Sequence, residues 1–213
     1  ARENVIGKTP FDFMPQDQAQ KIAGIFLEIA KNKAPIKDLE NWNITASGEL
    51  ICLLTNGVPI WDKQGNLKGY RGVDKDITEH KHAETLLNDI IDKNPMSIQI
   101  VDSEGLTLRG NPAYIKLFGS FPPPDFSIFD DLQSKSETLE KLVSLAKNGK
   151  IVNLPDIYFN AHDIVPDAPD NPLWIRALIF PLLENSGKPE RFVFMHENIT
   201  ERKQAENKLI DIR

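Results

Sequence analysis

The chain has 213 residues, 40% of them hydrophobic and 26% charged, with a formal net charge of −6. This is the composition of a globular protein with room for two domains of roughly 100 residues each, and its acidic balance argues against nucleic acid and against anionic membrane as partners. No run approaches the roughly 20 apolar residues of a membrane span, no signal peptide opens the chain, and a single cysteine, Cys52, excludes an internal disulfide and fits a reducing cytoplasm. A cytoplasmic protein is therefore expected, any membrane anchor of a parent lying outside these residues.

In chain order, Pro10-Phe11-Asp12-Phe13 opens a helical stretch over 16–33 with Ile22, Ile25, Phe26, Ile29 and Ala30 at helical spacing. Strand-like runs follow at about 36–45, 49–60 and 67–75, punctuated by Ser47-Gly48 and Gln64-Gly65-Asn66. Cys52 sits in Leu50-Ile51-Cys52-Leu53-Leu54 and reads as a small buried core residue, not a reactive thiol. A charged helix is expected over 79–94. Beyond it, Ser97 to Asp102 form a strand closed by Ser103-Glu104-Gly105, and Leu106 to Arg109 its hairpin partner. Asn111-Pro112 starts a short helix with Asn111 as its cap. Residues 137–148 form a longer helix with Leu139, Leu142, Val143 and Ala146 on one face, ended by Gly149. Strands at about 151–159, 173–183 and 190–198 complete the series. Strands around a helical insert indicate an α+β fold with an antiparallel sheet.

The two halves close alike. Asp76-Ile77-Thr78-Glu79 falls on Asn198-Ile199-Thr200-Glu201 at an ungapped offset of 122, which carries Pro59 onto Pro181, Gly65 onto Gly187 and Tyr70 onto Phe192. A repeat of this length is domain-sized. The chain thus divides into a first module over 1–78, a connecting helix over 79–94, a complete second module over 95–200 and an exit helix over 201–213. Residues 96 to about 122 have no counterpart ahead of Ala1, so the first module is expected without its first two strands and first short helix, with a sheet edge left open. In the two helices Ala83, Leu87 and Ile90, and Ala205, Leu209 and Ile212, recur at coiled-coil spacing.

This ordered set, twice over, resembles the PAS domain family. The resemblance rests on Ile6 to Phe13, Gly65 to Gly72 and Asp76 to Glu79 in the first module, and on Ile100-Val101-Asp102 with Gly105, Asn111 to Tyr114 and Gly187 to Lys203 in the second. It implies a five-stranded antiparallel sheet with helices on one face around a small pocket. It also implies sensing or dimerisation without catalysis, and an output domain downstream, in most cases a histidine kinase or else a cyclic-dinucleotide enzyme. The exit turn (Asp76, Ile77, Thr78 and Glu79; Asn198, Ile199, Thr200 and Glu201) is the expected route of the signal, with Asn198 departing from the family's carboxylate. Implied partners are a second copy, joined through flanking helices or the open sheet edge, and a small-molecule ligand.

Within that frame the cofactor types that need a specific residue are disfavoured. Covalent flavin needs a cysteine in a helical motif, and the second module has none. Haem needs an axial histidine, and neither 16–33 nor 137–148 carries one. His80 and His82, two apart on a helix, do not share a face, so they make no metal site. His162, Asp163, Asp167 and Asp170, in the loop Asn160 to Pro172, suit either a divalent ion or a solvated lid; the former would allow a small metal-assisted enzyme. His196-Glu197 resembles the start of a phosphoacceptor box, yet it ends the strand Phe192 to Met195, so His196 reads as a pocket residue able to confer pH sensitivity. No Gly-rich phosphate loop or acid/base pair is present, so no catalytic residue is expected.

Strand alternation puts Phe194 with His196, and Trp174 with Arg176, Leu178 and Phe180. These, with Tyr114 and Tyr158, are the pocket candidates. Sequence leaves open which face looks inward. If the Trp174 face does, Arg176 is placed to hold a carboxylate ligand; if not, it is a surface arginine. A pure dimerisation and spacer module, its pockets filled by side chains, fits the same residues.

Overall fold

The computed structural model describes residues 5–165, 167–183 and 187–210, which fall into two compact units divided between Leu86 and Leu87. In the first unit, a turn of 3-10 helix at Pro10–Phe13 is boxed by Asp12, whose carboxylate accepts from the Thr9 amide and hydroxyl. Helix α1 (Gln16–Lys31) follows. Strands β1 (Ile36–Ile44), β2 (Leu50–Trp61) and β3 (Leu67–Asp76) make an antiparallel sheet in the order β1-β2-β3. Phe26 of α1 packs edge-on against both Phe11 and Tyr70, and the Tyr70 hydroxyl donates to the Ala34 carbonyl. Among the described residues, β3 has one neighbour, β2, so its other edge carries no strand. Cys52, on the central strand, is 1% exposed, and burial pushes its thiol pKa up. Helix α2 (Thr78–Asp92) leaves from β3.

The second unit contains β4 (Ser97–Asp102), β5 (Thr107–Gly110), α3 (Pro112–Phe118), α4 (Ile128–Lys135), α5 (Glu137–Lys147), β6 (Val152–Asn153), β7 (Ile157–Phe159), β8 (Leu173–Leu183), β9 (Pro189–Asn198) and α6 (Thr200–Ile210). The sheet runs β5-β4-β9-β8-β6, with β7 also on β8, and every pairing is antiparallel. The strand expected over 151–159 is broken into β6 and β7. Pro155 stands in the gap without an N–H to donate, while Leu154 still bonds to the Ala177 carbonyl at 2.8 Å. Helix α4 is an element that periodicity does not reveal. It has eight residues and is started by Ser127, whose hydroxyl accepts from the Asp130 amide. Gly105, at φ +91, closes the β4–β5 turn where a Cβ would meet Phe129 and Ser127.

Helices α4 and α5 lie on one sheet face with the core between, whereas Lys203 of α6 lies over the Trp174 ring of β8. Val143 and Ala146 of α5 and Phe129 of α4 are fully buried against Ile179, Phe192 and Phe194 of the sheet. Among the described residues, no helix is long and apolar enough to cross a membrane.

Candidate ligand cavity and exit turn

Burial along β8 alternates from Leu173 to Phe180. Leu173, Ile175, Ala177 and Ile179 point to the helices and are buried, whereas Trp174, Arg176, Leu178 and Phe180 point the other way and are half-buried. On β9, Phe192, Phe194 and His196 share the inner face. The inner face and the helices enclose a cavity of about 60 Å³. Its walls include Phe118 and Tyr114 from α3, Leu154, Ile157 and Phe159 from the broken edge strand, and Ile175 and Ala177 from β8.

Tyr114, Phe194 and His196 are thus brought together at the cavity, while Tyr158, Trp174, Arg176, Leu178 and Phe180 are not. Tyr158 packs on Trp174 at 5.4 Å between ring centres on the outer face. Arg176 donates from Nε to Asp156 at 3.0 Å and pairs with it again through its guanidinium, so it faces no ligand. Gln99, Phe118, Ser120 and Phe159 were missed by the sequence reading. For Gln99 a signal existed, since an amide in the apolar run Ile98 to Val101 needs an inward reason; the others lie on elements whose facing alternation does not fix.

His196 is the buried polar centre of the site. Its Nδ1 lies 3.1 Å from the Ser97 hydroxyl, and its ring meets Tyr114, Phe118 and Phe194 at 5.1–6.1 Å. Desolvation lowers its pKa to about 4, against a weaker upward pull from Ser97. Burial likewise raises the Tyr114 hydroxyl above its ordinary value. Among the described residues the Ser120 hydroxyl oxygen is buried and has no hydrogen-bond partner. Ion pairing joins Lys135 to Asp131 at 2.6 Å, one turn apart on α4 at the cavity rim.

The exit turn has the same geometry in both units. In the first, the Ile77 amide donates to the Cys52 carbonyl, the Cys52 amide to Thr78 Oγ1 and the Thr78 amide to Asp76 Oδ1, at 2.9 Å each. In the second, Ile199 donates to Trp174, Trp174 to Thr200 Oγ1 and Thr200 to Asn198 Oδ1, at 2.8–3.0 Å. Asn198 keeps the bond and loses the charge; at Asp76 the Thr78 hydroxyl and amide hold the carboxyl below the usual range. β2 pairs with β3 in the register of β8 with β9: Leu53 faces Asp76 as Ile175 faces Asn198.

A cation at equivalent positions ties each exit helix to its sheet edge. Lys81 reaches Glu40 of β1 at 2.9 Å, and this hydrogen bond raises its pKa. Lys203 reaches Asp156 at 2.8 Å, joined there by Arg202 at 3.7 Å and Arg176. Lys203 foremost, and Arg176 with it, hold the Asp156 carboxyl below its ordinary value. Asp156 therefore clamps α6, and it lies in the strand break between Leu154 and Ile157, both of which line the cavity.

The His162 ring bonds to the Ala168 carbonyl and Asp170 accepts from Asn160. Among the described residues no three His, Cys, Asp or Glu side chains converge on a metal position. On α2, Leu86, Leu87 and Ile90 are all more than half exposed. The corresponding Leu209 side chain and Ile212 lie outside what is described.

A family profile described as PAS domain matches residues 1–79 and 94–201, well over half of the chain. Among solved structures, an RNA-binding light-oxygen-voltage receptor aligns over 98% of this chain and 91% of its own at 11% identity, with a TM-score of 0.48. A PAS domain from Colwellia psychrerythraea aligns over 56% of this chain and 98% of its own at 13% identity and a TM-score of 0.44, and the PAS domain of Bordetella pertussis BvgS over 62% and 96% at 19% and 0.40. No curated protein matches the chain.

Proposed function

The chain belongs to the PAS domain family, and from that premise we propose that it is a tandem sensory region without catalysis of its own. The second unit reads the state of its cavity and reports it through α6. The carrying observation is the short path from cavity to exit. Leu154 and Ile157 line the cavity, Asp156 lies between them, and it holds Lys203 and Arg202 on the outgoing helix. A ligand that moves the edge strand changes the grip on α6, a two-state element biased by differential binding. In the parent protein the output is a histidine kinase in the cytoplasm.

A second reading, dimerisation without a ligand, is favoured by the exposed Leu86, Leu87 and Ile90 on α2, an apolar stripe at the spacing of a helix pair. Mass spectrometry of the purified protein under native and then denaturing conditions, with an absorption spectrum, separates the two. The sensory reading expects a small molecule released on denaturation, and its removal to change amide exchange at 200–206. A clean mass, with a dimer that Leu87→Lys disperses, overturns it in favour of the second reading.

A further inference from the structure

We propose that the first unit holds a binding site of its own, chemically unlike the cavity of the second, which takes an organic cation with its ammonium group on Asp74. The site goes beyond the sensory reading and does not depend on it. Three observations carry it: room, the hydrogen-bonding groups left open, and charge. Room follows from the repeat. Thr55 faces Asp74 across β2 and β3 as Ala177 faces His196 across β8 and β9, and Gly57 faces Gly72 as Ile179 faces Phe194. Two glycines thus stand where the second unit buries an isoleucine and a phenylalanine. A cavity of about 440 Å³ opens over them, against about 60 Å³ in the second unit, with Met14, Ile22, Phe26 and Leu53 on its apolar wall.

The hydrogen bonds on the opposite wall all run one way. Asn43 Nδ2 donates to Asn41 Oδ1, Asn41 Nδ2 to Thr55 Oγ1 at 2.9 Å, and Thr55 Oγ1 to Asp74 Oδ1 at 2.6 Å. Asp74 fixes the direction. A carboxylate only accepts, so the single hydroxyl proton of Thr55 goes to it; Thr55 then accepts from Asn41 Nδ2, and Asn41 turns Oδ1 towards Asn43. The relay leaves an acceptor open at each end, Asn43 Oδ1 and Asp74 Oδ2, neither of which has a partner among the described residues. Asn43 is 8% exposed, yet its oxygen is not sealed off as the Ser120 hydroxyl is. The other side-chain donors of the wall are spent, the Tyr70 hydroxyl on the Ala34 carbonyl and the Thr9 hydroxyl on Asp12. Among the described residues the cavity therefore offers a guest side-chain acceptors and no side-chain donor, and a buried open acceptor calls for one.

The third observation is charge. Asp74 is the one charged residue on the described wall, and no cation pairs with it among the described residues. The second unit has His196 at the same place in the repeat, where burial keeps the ring neutral near physiological pH. An anion in the first cavity would meet a carboxylate and no donor. An ammonium group supplies both the donors and the counter-charge. Asp74 stands exposed at the rim, so solvent screens the pair and the preference is modest.

The test uses three six-carbon probes that differ in charge: hexylammonium, hexanol and hexanoate. Each is titrated into the full chain near neutral pH and followed by amide chemical shifts. Hexylammonium is expected to shift Asn41, Thr55 and Asp74 and to bind about fivefold tighter than hexanol, the effect of one screened ion pair. Hexanoate is expected to bind more weakly than either. Asp74→Asn is expected to melt as the wild type does and to bring hexylammonium down to the level of hexanol; Asp74→Lys is expected to put hexanoate first. The proposal is overturned if hexanol or hexanoate binds as tightly as the ammonium, if Asp74→Asn keeps the preference, if the shifts fall on Ala177 and His196 instead, or if no probe binds. The sensory reading is judged separately, by exchange at 200–206: hexylammonium bound at Asp74 leaves this site standing whether or not α6 responds.

Discussion

Asn111 offers the sharpest test of how the second unit is held together. As a cap it owes α3 one bond, and its Oδ1 does accept from the Tyr114 amide at 2.9 Å. The same oxygen also accepts from the Ile98 amide at 2.9 Å, and Nδ2 donates to the carbonyls of Ile91, Asn94 and Met96 at 3.1, 3.2 and 2.8 Å. With the residue 0% exposed, the side chain fastens the last turn of α2 and the start of β4 to the start of α3. A cap alone predicts a loss of about 1 kcal/mol for Asn111→Ala and almost none for Asn111→Asp, since the two residues cap equally well. The full set predicts otherwise. Truncation leaves the Ile98 amide and the Asn94 and Met96 carbonyls without this partner, while the Tyr114 amide keeps the Asn111 carbonyl and the Ile91 carbonyl keeps the Asn94 amide; at about 1 kcal/mol net for each lost bond, Asn111→Ala is expected to cost about 2–4 kcal/mol. Asn111→Asp keeps the acceptor but sets an oxygen against three carbonyls, and is expected to cost at least about 2 kcal/mol. Urea denaturation followed by tryptophan fluorescence and circular dichroism reads both values. If Asn111→Asp matches the wild type, the donor half of the network carries nothing and the argument is refuted.

The remaining predictions concern the cavity, the clamp and the first unit. The folded pKa of His196, about 4, lies below the ordinary 6.5, so as pH falls through that window the unfolded chain takes up a proton that the folded one refuses. The second unit should therefore lose up to about 3 kcal/mol between those pH values, and His196→Gln should remove that part of the slope in denaturant titrations at matched pH; an unchanged slope would show that His196 takes up its proton as readily in the folded chain as in the unfolded one. Asp156→Asn keeps the shape and removes the charge held by Lys203 and Arg176, so amides 200–206 should exchange on the order of fivefold faster while those of β9 hold steady; equal acceleration in both would make Asp156 a general stabiliser and not a clamp. Cys52, buried on β2 with a raised pKa, should resist a thiol reagent in the native protein and react within the mixing time in denaturant; rapid native labelling would place it at the surface.

The 122-residue offset, the α+β order of elements and the exit turns were legible because each is local. Glycine turns, alternation and the Ile-Thr-Glu series act through neighbours in the chain, and the repeat reappears as equal hydrogen bonds at Thr78 and Thr200. Helix α4 was not legible, since two turns capped by a single serine leave too few periodic positions to detect. Nor was the break at Pro155. A β-rich run reads as one strand until the partner β8 shows where pairing stops and resumes. Which face of β8 looks inward is a property of the packed sheet. Alternation assigns residues to two faces, but only the side on which α4 and α5 settle decides that Ile175 and Ala177 line the cavity while Arg176 turns to Asp156. Asn111 shows the same division in one residue. Its cap is written in Asn-Pro, and its other four bonds exist only because folding brings α2, β4 and α3 to one point.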